Sequence, residues 1–224
     1  MILALVGSGE YLPPMEPVDR YLIGCLGAEP SVVCLPTAAG TEGPERVGYW
    51  SELGIRHFSR LGVKVLALPI IDRASANDDA LVRPIREANF VYLSGGKPDY
   101  LYMILNGSQA WKAIQDVLSD GGVLAGCSAG AMIMGESIPS FPGSLKAFGL
   151  LPGTVIAPHF DEIPSWLLSA IRLLAGRRLT LVGVESNTAL IVKDGHYDVM
   201  GTGGVTLWKG NRRRRYLQGE PVSL

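Results

Sequence analysis

Short apolar runs alternate with amphipathic stretches over the first two-thirds of the chain. The apolar runs predict buried strands at 2–6, 31–35, 63–69 and 90–94, in a run ending at Cys127, and at 154–157. The stretches between them predict helices at 17–26, 44–61, 78–88, 99–105, 109–118 and 164–174. Pro17 stands near the start of the first of these helices. In the second, Val47, Trp50, Leu53, Ile55, Phe58 and Leu61 form the apolar stripe. Asn77 is the expected N-cap of the third, which Pro84 weakens. Beyond 180 the pattern changes to short apolar runs separated by glycines, at 180–184, 190–193, 197–200 and 205–208. These read as antiparallel hairpins at a sheet edge.

Strands alternating with helices imply parallel βαβ units and a sheet covered on both faces. The expected fold is therefore α/β, a three-layer sandwich with a mostly parallel sheet. No repeat, low-complexity tract or Ser/Pro linker divides the chain, so a single domain over 1–224 is expected.

With 224 residues, 47% of them hydrophobic, the chain can bury a sizeable core. Its formal net charge of -1 gives no general attraction to nucleic acid or to anionic membranes. Three cysteines without C-x-x-C spacing argue against a zinc site or disulfide framework and suit a reducing cytosol. The apolar start, 1–9, is very short, lacks a basic segment and runs into Glu10, so it does not read as a signal peptide. No apolar stretch reaches the roughly 20 residues of a membrane span. A cytoplasmic protein is expected.

The most informative segment is Gly126-Cys127-Ser128-Ala129-Gly130, preceded by the apolar run and followed by Ala131 and Met132. Gly-x-Ser-x-Gly between a strand and a helix start is the pattern of a nucleophile elbow, a sharp turn that lifts the serine hydroxyl clear of the sheet. The following helix would aim its N-terminal N–H groups at an anion. Taken alone, the motif also fits a small-residue turn that packs a helix onto a sheet.

Ser128 needs a base. Of three histidines, His57 falls within a helix and His196 within a hairpin turn, whereas His159 follows a strand, where sites of α/β sheets lie. His159 is therefore the candidate base. A carboxylate orienter could come from Glu185, between a buried strand and a turn, from Asp161 or Glu162, or from Glu136. The N–H groups of Ala129 and Gly96 are candidates for an oxyanion hole, the Gly95-Gly96 turn allowing close backbone approach. Cys127 lies one position off the elbow and reads as a small packing residue. Gly7-Ser8-Gly9-Glu10 lacks the third glycine of a dinucleotide loop, because Leu12 stands there. Arg212-Arg213-Arg214-Arg215 has no interleaved aromatic array and reads as a solvated edge strand or turn.

Together Gly126-Cys127-Ser128-Ala129-Gly130-Ala131, Ser94-Gly95-Gly96, Pro158-His159-Phe160 and Gly183-Val184-Glu185-Ser186-Asn187-Thr188-Ala189 resemble the S51 serine peptidases, which include aspartyl dipeptidases and cyanophycinases. The resemblance runs from about Ile2 to Val192. It implies a flavodoxin-like fold, similar to class I glutamine amidotransferase domains, and a Ser-His-Glu triad. Carried over residue by residue, the triad falls on Ser128, His159 and Glu185. The resemblance also places the Gly7–Glu10 turn at the cleft edge, and the Gly95-Gly96-Lys97-Pro98-Asp99 turn on the substrate side, with Lys97 and Asp99 as binding candidates.

That turn departs from the Gly-Gly-Asp-Gln or Gly-Gly-Gly-Asn of many members. The arginine cluster that follows the histidine in cyanophycinases is also replaced, by Asp161-Glu162-Ile163-Pro164, with arginines only at Arg172, Arg177 and Arg178. A short peptide fits better than cyanophycin as substrate. The expected activity is peptide hydrolysis through an acyl-enzyme with no metal or organic cofactor. No nucleic-acid or membrane partner is expected, and a homodimer is an assembly open to it. Two other readings share the fold: a non-catalytic module for a small ligand or partner, and an esterase or amidase with the same triad.

Overall fold

A computed structural model describes residues 1–140, 143–176 and 178–224. In chain order its elements are β1 (Ile2–Val6), α1 (Glu16–Gly24), β2 (Ser31–Leu35), α2 (Pro44–Arg60), β3 (Lys64–Ala67), α3 (Asp79–Arg86), β4 (Phe90–Leu93), α4 (Pro98–Leu105), α5 (Gln109–Ser119) and β5 (Val123–Cys127). Then follow α6 (Ala129–Met132), β6 (Ser137–Pro139), β7 (Ser144–Lys146), β8 (Thr154–Ala157), α7 (Ser165–Ala175), β9 (Thr180–Val184), β10 (Thr188–Lys193), β11 (His196–Gly201), β12 (Val205–Lys209) and β13 (Arg212–Tyr216).

The strands form two sheets, where the sequence suggested one. The first has the order β11-β10-β1-β5-β4-β2-β3. Its β1, β5, β4, β2 and β3 run parallel, and the β10-β11 hairpin joins antiparallel at β1. The second has the order β13-β12-β9-β8-β6-β7, with β8 parallel to β9 and β6. Thus only one of the late hairpins extends the first sheet; the rest build the second around β8 and β9.

Side-chain alternation along β1 sets the layers. Ile2, Ala4 and Val6 pack with Met15, Val18 and Leu22 from the α1 side and Phe58 of α2. Leu3 and Leu5 face the other way, into a core shared with Val82 and Ile85 of α3, Leu101 of α4 and Ile114 of α5. That same core takes Ile156, Val182 and Val205 from the second sheet, so the two sheets share one apolar interior. Val155, Ala157 and Leu181 turn their backs to it and pack with Phe160 and Ala175 near α7. The result is an α/β sandwich.

Local departures have local causes. The N-cap of α3 is Asp78, whose carboxylate accepts the Ala80 N–H, rather than Asn77, whose side chain bonds the Arg73 carbonyl and the Gln109 N–H. In α2 the buried stripe runs through Val47, Gly54, His57 and Phe58, leaving Ile55 exposed. Gly54 is small enough to press on Cys34, and His57 enters the interior because Asp19 of α1 receives it at 2.8 Å. The Arg212–Arg215 run forms the edge strand β13, as its charge pattern suggests. The short strands β6 and β7 carry no apolar alternation that would announce them.

Candidate active site

Ser128 directly follows β5, which lies between β1 and β4 in the first sheet. Its backbone has φ 50° and ψ −106°, outside the regions that L residues favour. The turn is enforced by packing. A Cβ on Gly126 would lie 2.4 Å from the Gly130 carbonyl, and one on Gly130 would lie 2.6 Å from the Leu93 oxygen. Only glycine lets the chain double back this tightly onto β4, which is the physical content of Gly-x-Ser-x-Gly here. The Ser128 N–H is held by the Val6 carbonyl at 3.0 Å, while the Ser128 carbonyl accepts from Ala131 and Met132. The helix α6 is a single turn of four residues, so its dipole is smaller than the sequence suggested.

His159 follows β8 and also has a positive φ, 50°. Its ring reaches across from the second sheet to the first, with Nε2 3.3 Å from Ser128 Oγ, at the long end of hydrogen-bonding range. The next residue is fixed: the Phe160 N–H donates to the Val184 carbonyl, and the Phe160 ring lies against Gly183, where any Cβ would collide with it.

Gly96 meets this pair. It lines a hollow of about 220 Å³ with Ser128, His159, Glu10, Gly95, Glu42, Arg46 and Trp50. Gly96 has φ +142°, and a Cβ there would strike the Ala38 backbone. The Gly95 N–H is occupied by Glu10 Oε1 at 2.9 Å. Ala129 is the first residue of α6, where the N–H has no intrahelical acceptor.

Four other sequence candidates, Glu185, Lys97, Asp99 and Glu136, have their neighbours elsewhere. Among the described residues Glu185 makes no hydrogen bond or ion pair with His159. Its carboxylate takes two hydrogen bonds from Arg215, at 2.5 and 2.6 Å, and one from the Gly204 N–H at 2.8 Å. Hydrogen bonding from the Arg215 guanidinium holds the Glu185 carboxyl below its ordinary range. The carboxylate facing His159 Nδ1 is that of Glu162, with Oε2 at 3.6 Å, a charge contact rather than a hydrogen bond. Glu162 Oε1 accepts the Ser186 hydroxyl at 2.8 Å, and Asp161 accepts the Ser186 N–H. Lys97 and Asp99 line a separate hollow with Tyr100, Tyr102 and Met103, away from both hollows that Ser128 lines. The cause is α4, which begins at Pro98 and carries the chain off the cleft. Glu136 pairs with Arg178 and the Gly153 N–H. Arg172 donates to the Gly176 and Gly210 carbonyls. Arg177 lies outside the described residues.

The resemblance put the Gly7–Glu10 turn at the cleft edge, but sequence reasoning gave Glu10 no role. Glu10 is buried, and its second oxygen accepts the Cys127 thiol at 2.8 Å while the first holds Gly95. One carboxylate thus ties the end of β4 to the end of β5. The signal was a carboxylate directly after a glycine turn that closes a buried strand. Cys127 is therefore a hydrogen-bond donor as well as a packing residue. Burial and the adjacent Glu10 push its thiol well above the usual range, and burial pushes Cys34 up to about 12. Iodoacetamide on the native protein is expected to alkylate Cys25, which is half-buried, and to spare Cys34 and Cys127. Intact-mass and peptide mass spectrometry, with the denatured protein as full-labelling reference, check this.

The fold, with a serine on a strand–turn–helix elbow facing a histidine, defines an α/β serine hydrolase. The model of peptidase family S51 matches residues 3–200, and the chain belongs to that family. It is a serine peptidase. It is 26% identical over 222 residues to a cyanophycinase of Synechococcus elongatus, covering 92% of this chain and 67% of the relative. It is 27% identical over 176 residues to an uncharacterized peptidase of Listeria innocua, covering 73% and 81%. The crystal structure of a peptidase from an acI-B1 Actinobacterium superposes with a TM-score of 0.91 at 34% identity, covering 100% of this chain and 96% of that one. A putative peptidase E of Listeria monocytogenes shares the fold, with a TM-score of 0.65 at 18% identity over 90% and 98%. No helix among the described residues is long and apolar enough to cross a membrane.

Proposed function

We propose that the protein hydrolyses short peptides through an acyl-enzyme, with Ser128 as nucleophile and His159 as general base. The observation that carries this reading is the approach of His159 Nε2 to Ser128 Oγ at 3.3 Å, on an elbow whose backbone strain is enforced by packing. The Oγ proton passes to Nε2 as Oγ attacks the scissile carbonyl. The N–H groups of Gly96 and Ala129 receive the negative charge on the carbonyl oxygen. Collapse breaks the C–N bond, and His159 returns the proton to the leaving amine. Water then attacks the ester with His159 again as base, releasing the acid and restoring Ser128. The small hollow beside Gly96, with Glu10, Glu42 and Arg46, offers charges for a peptide terminus.

For the carboxylate partner of His159 the geometry favours Glu162 over Glu185. Glu162 faces Nδ1 and is steadied by Ser186, whereas Glu185 is committed to Arg215. Glu162 is 63% exposed, so its charge is well screened and worth about 1 kcal/mol to an imidazolium. Glu162→Gln is accordingly expected to lower kcat/KM about fivefold, and Glu185→Gln to lower stability by about 1 kcal/mol with little change in turnover. Steady-state kinetics alongside thermal melts separate the two roles. A thousandfold loss in folded Glu185→Gln would assign the orienting role to Glu185 instead.

A further inference from the structure

Beside Ser128 lies a second hollow, of about 370 Å³, whose lining does not include Gly96. Its size falls within the range of small-molecule sites, roughly 300–1,000 Å³. Its walls are Met132 at the end of α6, Ile156 on β8, and Ile163, Leu167, Ala170 and Ile171 on and before α7. Its polar lining is Ser128, His159 and Ser140; no Asp, Glu, Lys or Arg lines it among the described residues. The charged residues that line a hollow together with Ser128, namely Glu10, Glu42 and Arg46, line the other one.

We propose that this hollow is a side-chain subsite, so that the preferred peptide carries an apolar residue such as leucine or phenylalanine next to the scissile bond. The inference rests on Ser128 being the nucleophile, as proposed above, because that places the bond at the mouth of the hollow. An apolar side chain entering it exchanges water for Ile156, Ile163 and Ile171 and is favoured by its buried area. A carboxylate or ammonium entering it loses its hydration and finds no opposite charge. α7 forms the outer wall and is only partly packed itself, with Leu167 37% exposed. A bound apolar side chain would therefore cover surface that the fold leaves to solvent. The subsite distinguishes this chain from a peptidase selecting acidic residues, which would want an arginine there.

The test separates side-chain preference from turnover. In ¹H–¹⁵N chemical-shift titrations of Ser128→Ala, dipeptides Xaa-Ala and Ala-Xaa are compared with Xaa as Leu, Phe, Asp or Lys. Leu and Phe are expected to bind at least about tenfold more tightly than Asp and Lys in one of the two series, shifting the amides of Ile156 and Ala170. Adding Ala170→Phe, which fills the hollow, is expected to remove that advantage. Leu167→Gln, at a partly exposed position, should reduce it without endangering the fold. Equal binding of Asp or Lys, or indifference to both substitutions, overturns the subsite. Hydrolysis by the unsubstituted enzyme is followed in parallel. Selective binding without any hydrolysis supports the subsite and overturns the peptidase mechanism, whereas hydrolysis without selectivity overturns the subsite alone.

Discussion

Ser128→Ala is expected to lower kcat/KM for peptide hydrolysis by at least about 10⁴-fold while leaving the fold and peptide binding intact. The argument is geometric. Ser128 supplies the only hydroxyl that the described structure places against His159 Nε2, and its backbone is locked by the Gly126–Gly130 and Gly130–Leu93 contacts, which alanine at 128 does not disturb. The substitution removes the attacking atom and nothing that holds the turn. The residual rate would come from the Gly96 and Ala129 N–H groups and from substrate orientation. Chromatographic product analysis measures the loss, and a serine-directed phosphonate should modify the unsubstituted enzyme at Ser128 and slow markedly in His159→Ala. Wild-type turnover by Ser128→Ala would falsify the proposed mechanism outright.

The largest effect on stability is expected at Asp19, far from the chemistry. Asp19 and His57 are both fully buried and meet at 2.8 Å, with Phe58 edge-on to the His57 ring and Tyr11 also beside it. Burial raises the Asp19 carboxyl above its ordinary value, against the lowering effect of His57. Asp19→Ala leaves a buried imidazole without its partner and should cost about 3 kcal/mol. For a chain of this length that corresponds to a melting temperature lower by about 10 °C. Replacing both residues, Asp19→Leu with His57→Phe, should recover much of the loss, because the apolar pair needs no desolvation of charge. Because folding raises the Asp19 pKa, this group contributes most to stability below its unfolded value. That contribution is lost as pH rises through the folded value. The gap between native and Asp19→Ala melting temperatures should therefore narrow from acid toward neutral pH, as differential scanning calorimetry would show.

The parts of the fold legible in the sequence were those written in local periodicity. Strands β1, β2, β4, β8 and β9 and helices α2, α4 and α5 lie within two residues of their expected ends, because unbroken apolar runs and amphipathic stripes leave little choice. The division into two sheets was not legible. Whether β8 pairs with β5 or with β9 depends on which edge is free, and nothing within either strand records that. His57 shows the same limit: a histidine on a helix gives no sign that an aspartate 38 positions earlier will receive it. At the site, the nearness of Ser128, His159 and Gly96 follows from strand ends and a glycine turn, where backbone direction decides position. The neighbours of Glu185, Lys97 and Asp99 were not legible, because a long side chain or a helix start decides where the charge ends up.

Ser128 and His159 are linked by more than their facing atoms: both backbones sit at a φ of 50°, a conformation that costs a residue other than glycine on the order of 1 kcal/mol. Glycine at either position would release that strain while removing a side chain that lines both hollows beside the site. A lineage released from the need for turnover would therefore drift toward glycine at both positions and gain thermal tolerance as it lost its chemistry. Hardiness in a descendant of this fold would then be a mark of lapsed function, and the modest strain carried here is what selection for a reactive hydroxyl leaves behind in the backbone.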